Sequence, residues 1–224
     1  MKHATQYAAL IILASLPLCA QQLIDRVVTV VNGRVITQSE WHEEESFEAL
    51  AEGKPAAEIK HSEAALDRLI DRVLLLQQMA ELNFRPPTPE AVQQEVDDIK
   101  KRSPTASTVT EDAWRKTLAD YRIPEDAFQQ IVTDRANVAR FIDVRFRANA
   151  RISPIDVDAY YKDTFVPQFR KTAGGKPAPP LKDVQDKIQQ IVVEQRVTED
   201  LDSFIQSLRT QAVIRNVSPM EEVK

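Results

Sequence analysis

The residue types that most often do chemistry are sparse in this sequence, and their spacing does not build a metal site. Beyond the first twenty residues the chain has two histidines, His42 and His61, and neither has a second histidine at the local spacing that metal ligands use. The single cysteine, Cys19, lies in the N-terminal apolar segment. The sequence therefore predicts no metal site and no metal cofactor.

Carboxylates and serines form no recognisable catalytic group. His42 precedes three glutamates, which would suit a general base, but such a run is more typical of a solvated helix face. No serine stands in a G-x-S-x-G or S-x-x-K motif. The carboxylate pairs fall near expected helix starts or on polar faces, where acids favour the helix dipole; they are Asp97–Asp98, Glu125–Asp126, and Asp156 with Asp158. We predict no catalytic residue.

Composition argues against two further classes of function. Four glycines in 224 residues are too few for the glycine-rich loops that hold nucleotide phosphates, so no nucleotide cofactor is expected. The formal net charge of -5 disfavours nonspecific attraction to nucleic acid. One arginine-rich stretch could be a basic patch, but its acidic neighbours favour a solvated face; it comprises Arg135, Arg140, Arg145, Arg147 and Arg151.

Residues 1–20 have the pattern of a secretory signal peptide. A weakly basic start precedes an apolar run over Ala8–Leu18, and Ala20 offers a small residue before a cleavage site. The run is too short to span a bilayer, which takes about 20 apolar residues. We therefore expect export, a mature chain that begins at Gln21, and no integral membrane segment after cleavage.

A β-hairpin followed directly by a helix is expected at the start of the mature chain. Asn32-Gly33 separates the β-branched run Val27–Val31 from Arg34–Ile36, and this dipeptide suits a type I′ turn. Thr37 and Glu40 then form a capping-box pattern for a helix that begins near Gln38.

The rest of the chain is predicted to be mostly helical. Apolar residues at spacings of three and four indicate a central helix near residues 62–84. Two further helix starts are indicated by Thr88-Pro89 and Ser153-Pro154, each an N-cap residue followed by a proline at the first helical position. We expect a flexible loop over residues 166–180, because four prolines and two glycines fall there. A long helix over Leu181–Gln211 and a strand over Ala212–Val217 should follow, with Val213 and Val217 facing the helices.

The order of these segments resembles the SurA family of periplasmic chaperones, whose relatives include PrsA and PpiD. The stretches that carry the resemblance are Asp25–Thr37, Leu66–Ala80, Trp114–Phe128, Arg151–Tyr161 and Leu181–Val217. One departure is large, since those proteins usually place parvulin-type isomerase domains of roughly a hundred residues after the Tyr-Tyr segment. Only Lys162–Pro180 lies between Tyr161 and the last helix, so no isomerase domain fits.

The resemblance implies a mainly α fold, a multi-helix SurA-type chaperone module with a small β-hairpin extended by the C-terminal strand. Residues 21–165 would form the hairpin and helical region, 181–217 would complete the same module, and 218–224 would be a tail. The implied function is ATP-independent binding of unfolded outer-membrane or secreted polypeptides in the periplasm. The alternatives are a prolyl isomerase, as family naming would suggest, and an assembly protein dedicated to a single partner.

Aromatic side chains are the candidates for contact with unfolded polypeptide, because they supply a large contact area. Each of them could equally belong to the core. The candidates are Trp41, Phe47, Trp114, Tyr121, Phe128, Tyr160, Tyr161 and Phe165.

Export predicts a defined N-terminus. Mass spectrometry of the protein recovered from the periplasm should find Gln21 as its first residue. A mature species that retains Met1 would contradict this expectation, and so would lipidation at Cys19, which the bulky Leu18 before it disfavours.

Overall fold

The computed structural model describes residues 25–103, 110–174 and 176–217. The expected signal peptide, most of the polar loop that precedes Thr110, and the C-terminal tail lie outside the described residues. The fold is mainly α, with one small antiparallel sheet, as the sequence predicts.

The two ends of the described chain meet in the sheet. Its strands are β1 (Val27–Val31), β2 (Arg34–Thr37) and β3 (Ile214–Asn216), in the order β2-β1-β3. Between β1 and β2, Asn32 and Gly33 have φ values of 49° and 86°, as a type I′ turn requires. The Asn32 side chain accepts a hydrogen bond from the Val213 backbone N–H at 2.8 Å, which ties this turn to the start of β3.

The side-chain alternation of the last strand is opposite to the sequence expectation. Val213 and Val217 are 54% and 53% exposed, whereas Ile214 packs against the core. The register explains this result, because Ile214 pairs with the fully buried Val31, and directly opposed residues point to the same face of a sheet. The expectation that Val213 and Val217 face the helices is therefore wrong.

In the described residues, eight α-helices lie between β2 and β3 along the chain. They are α1 (Gln38–Ala51), α2 (Glu63–Glu81), α3 (Pro89–Arg102), α4 (Glu111–Asp120), α5 (Glu125–Arg145), α6 (Pro154–Tyr160), α7 (Val166–Thr172) and α8 (Leu181–Gln211). The caps predicted at Thr37, Thr88 and Ser153 are confirmed, and α8 has the predicted bounds.

Part of the predicted flexible loop is helical. A five-residue π-helical turn, Tyr161–Phe165, joins α6 to α7, so the helical path continues to Thr172. Pro167 lies in the first turn of α7, directly after this π-helical turn. The expectation of a loop over 166–180 is therefore wrong for Val166–Thr172, and the connection to α8 is confined to residues 173–180.

Helix α2 contributes to two of the three apolar clusters, which agrees with its predicted central position. One face packs Leu69, Ile70 and Leu74 against the sheet, and another packs Leu75 and Met79 against α5 and α8. The remaining cluster joins α1, α3, α4 and α5; its largest members are Phe47, Trp114, Tyr121 and Phe128.

A buried carboxylate with two arginine partners connects α1, α2 and α5. Glu44 of α1 has a side chain that is 1% exposed, and one of its oxygens accepts hydrogen bonds from Arg72 of α2 at 2.8 Å and Arg135 of α5 at 2.5 Å. Two cations on one carboxylate offset much of the cost of removing it from water.

The long helix α8 attaches to α2 through charge as well as apolar packing. Arg209 donates from Nε to Asp71 Oδ1 at 2.5 Å and from Nη1 to Asp67 Oδ1 at 3.2 Å. Phe204 packs against the rings of Phe141 and Phe146, which also contact each other. These contacts place β3, which follows α8, beside β1.

The register of β3 predicts different effects for two neighbouring substitutions. Ile214→Ala should lower the free energy of unfolding by about 1–2 kcal/mol, because it removes a side chain that packs on the core. Val213→Ala should change it by less than about 0.5 kcal/mol, since its exposed side chain is not what holds the turn. Urea denaturation would measure both values, and equal losses would contradict this register.

Candidate functional site

An open cleft of about 710 Å³ lies between the hairpin end, α1, α2 and α5. Its floor is apolar and comes mainly from one face of α2, with two residues from α5; these floor residues are Leu69, Val73, Leu76, Ala80, Ala127 and Ile131. The Glu44 ion pair fixes this geometry, because it joins the helices that carry the walls.

The rim of the cleft carries more acidic than basic side chains. Arg34 and Arg72 line it, but Arg34 pairs with Glu40, and Arg72 pairs with the buried Glu44. Across the described ranges 25–103, 110–174 and 176–217, Glu43 and Asp126 have no ion-pair partner. The cleft therefore presents an apolar floor beneath a negatively charged rim.

Two of the rim carboxyls bind protons more tightly than free carboxyls do. Burial, reinforced by repulsion from Glu40, raises the pKa of Glu43. Burial also raises the pKa of Asp134, although the hydrogen bond from Gln130 and the nearby Arg72 act in the opposite direction. A cationic group in the cleft would lower the free energy of both charged carboxylates.

A row of aromatic rings lies along the π-helical turn and α7. The ring centroids of Tyr161 and Phe165 are 5.8 Å apart, and those of Phe165 and Phe169 are also 5.8 Å apart. All three side chains are half-buried, and the Tyr161 hydroxyl donates to the Pro179 carbonyl at 2.8 Å. We call these three residues the aromatic row.

The structure divides the eight predicted contact residues into two groups. Trp41, Phe47, Trp114, Tyr121 and Phe128 are buried in the core, so the expectation that they line a groove is corrected for these five. Tyr160, Tyr161 and Phe165 are half-buried at the helical surface. An aromatic residue on a helical stripe has the same sequence pattern in a core as in a groove, which is why the sequence could not separate them.

The fold brings together two histidines that the sequence analysis treated as separate. His42 and His61 both contact the buried carboxylate of Glu45, with Nδ1–oxygen distances of 3.2 Å and 3.1 Å. His42 therefore does not simply lie on a solvated helix face. No local spacing signals this cluster, because His61 reaches it from the segment before α2.

These features define a mainly α-helical module with an apolar cleft. Both ends of the described chain supply strands to its one small sheet. The model of the SurA-like N-terminal domain matches residues 8–141, more than half of the chain, so the chain belongs to this family. Helix α8 and strand β3 lie beyond the matched residues. No curated protein sequence matches the chain. None of the helices in the described part of the chain combines the length and apolar character needed to cross a membrane.

Because the pKa of Asp134 is raised, we expect Asp134→Asn to stabilise the folded chain by an amount that depends on pH. Because the folded chain binds this proton more tightly than the unfolded chain, the free energy of unfolding falls as the pH rises above 3.8, the ordinary aspartate value. The substitution removes a half-buried charge and keeps an oxygen for Gln130, so the variant should melt higher than the original near neutral pH and similarly at about pH 3.

Asp126→Asn is the matched control, because Asp126 lines the same cleft but is exposed. Thermal unfolding followed by circular dichroism would measure all three proteins. A melting difference for Asp134→Asn that does not grow between acid and neutral pH would contradict the assigned cause.

Proposed function

We propose that this protein is an ATP-independent periplasmic chaperone that binds unfolded outer-membrane or secreted polypeptides. Membership of the SurA-like N-terminal domain family supports a chaperone, and the expected signal peptide supports the periplasm. The observation that carries the proposal is the open cleft with an apolar floor and an acidic rim.

The cleft has the properties that transient polypeptide binding needs. Its apolar floor would cover the side chains that unfolded chains expose and through which they aggregate. Its acidic rim would attract lysine and arginine side chains at long range without fixing one sequence. Binding of this kind is an equilibrium in which no nucleotide takes part.

The aromatic row offers a second contact for the same polypeptide. Tyr160 and the row residues Tyr161 and Phe165 are the sequence candidates that remain at the surface, and we propose them as part of the client-binding surface. Half-exposed rings can gain contact area on either face of an extended chain while losing little conformational entropy.

Two alternatives make different use of the same fold. A prolyl isomerase would need a compact catalytic domain, but Lys162–Pro180 is occupied by helix and a short connection. We infer that the protein is not an isomerase. A dedicated assembly protein would use the cleft for one partner only, and the range of polypeptides bound distinguishes it from a general chaperone.

Filling the cleft should weaken chaperone activity. Ala80 is exposed on α2 and lines the cleft, so the indole of Ala80→Trp would occupy the apolar floor. The original protein should suppress the aggregation of an unfolded membrane β-barrel protein without ATP, and the variant should need a several-fold higher concentration for equal suppression. Light scattering after dilution from urea measures both.

Ala119→Trp is the matched control, because Ala119 is exposed on α4 and does not line the cleft. It should suppress aggregation as well as the original protein does. If the original protein leaves scattering unchanged at several-fold molar excess, the chaperone proposal fails and the single-partner alternative is favoured. If the two tryptophan variants behave alike, the cleft is not the binding site.

A further inference from the structure

Three potential metal ligands converge where one face of α1 meets the segment before α2. His42, Glu45 and His61 each offer one ligand atom, and these atoms lie within 4.8 Å of one another. The Glu45 carboxylate is buried and lies between the rings, with His42 Nδ1 3.2 Å from one oxygen and His61 Nδ1 3.1 Å from the other. The two histidine side chains are 52% and 39% exposed, so solvent ions can reach the cluster.

The fold holds the three ligands in place before any ion arrives. His42 and Glu45 are three residues apart on α1 and so share one face of the helix. Two hydrogen bonds from α1 fix the backbone next to His61, because the Glu45 carboxylate accepts from the Ser62 N–H at 2.7 Å and the Trp41 indole donates to the Ser62 carbonyl at 3.0 Å. The Trp41 ring also packs on the His61 ring at a centroid distance of 3.8 Å.

A further contact bears on the His42 tautomer. The amide nitrogen of Gln38 lies 3.3 Å from His42 Nε2, and the side-chain amide can turn over to present its oxygen instead. With its oxygen turned toward the ring, Gln38 would accept the Nε2 proton and leave Nδ1 as the free ligand atom, which is the usual role of a second partner to a ligating histidine.

The donor set fits a borderline transition-metal ion. Two imidazole nitrogens and one carboxylate oxygen are typical zinc ligands at about 2.0–2.2 Å, with a remaining position for water. Two atoms bound to one ion at such distances can be at most about 4.2 Å apart. The cluster therefore needs a small inward rotation of side chains, and exposed histidines can make it at little cost.

We propose that His42, Glu45 and His61 form a binding site for one divalent transition-metal ion, with Zn²⁺ as the best match to the donors. The ion joins the segment before α2 to α1. It replaces the two histidine–glutamate contacts with three bonds to one centre, so it stabilises the folded chain.

Zinc titration tests the site directly. Untagged full chain, purified after export, is titrated with ZnCl2 by isothermal calorimetry at neutral pH, and its melting temperature is measured with and without Zn²⁺. We expect one ion per chain and a higher melting temperature with Zn²⁺. His42→Gln and His61→Gln should each weaken Zn²⁺ binding at least about tenfold and reduce the melting shift.

Glu43→Gln is the matched control, since Glu43 is on the same helix but lines the acidic cleft instead. It should bind Zn²⁺ as the original protein does, and circular dichroism should show that both histidine variants are folded. The proposal is overturned if the original protein binds no Zn²⁺, or if the double variant His42→Gln/His61→Gln binds it equally well. If the two histidines only pair with Glu45 and hold no metal, the original protein will bind no Zn²⁺.

Discussion

The architecture around the cleft depends on one buried carboxylate. Glu44 lies on α1 and accepts hydrogen bonds from Arg72 of α2 and Arg135 of α5, so three separate helices share one charged contact. Removing one partner from a buried ion pair costs roughly 3–5 kcal/mol, because it leaves a charge without compensation. That constraint fixes the relative positions of the three helices, and the apolar floor of the cleft is the surface that remains between them.

Helix α2 connects the helices around the cleft to the sheet and to α8. Its faces contact the sheet on one side and α5 with α8 on another, while Asp67 and Asp71 hold Arg209 near the end of α8. The chain beyond α8 then pairs with β1, so the two ends of the described chain stabilise each other. The contacts that hold β3 beside β1 come from the packing of α8 on α2 and α5 and from Arg209.

The charges explain how one module could serve two kinds of contact. The arginines near the cleft are used in ion pairs with Glu40 and Glu44, which leaves the rim acidic and the floor available for apolar groups. The histidine cluster uses a different carboxylate, Glu45, on another face of α1. Adjacent glutamates on one helix therefore have separate roles because successive residues on a helix point in different directions, about 100° apart.

The sequence alone determined the features that depend on neighbouring residues. The Asn32-Gly33 turn, the caps at Thr37, Thr88 and Ser153, and the bounds of α8 are set by local backbone preferences and periodicity. Only the tertiary structure decided which side chains are covered. Phe47 and Phe128 are in the core while Phe165 is at the surface, and Ile214 faces inward because its register pairs it with Val31. The tertiary structure also brings His61 to His42 and Glu45. Contacts between residues that are distant in the sequence follow from packing, which no local pattern encodes.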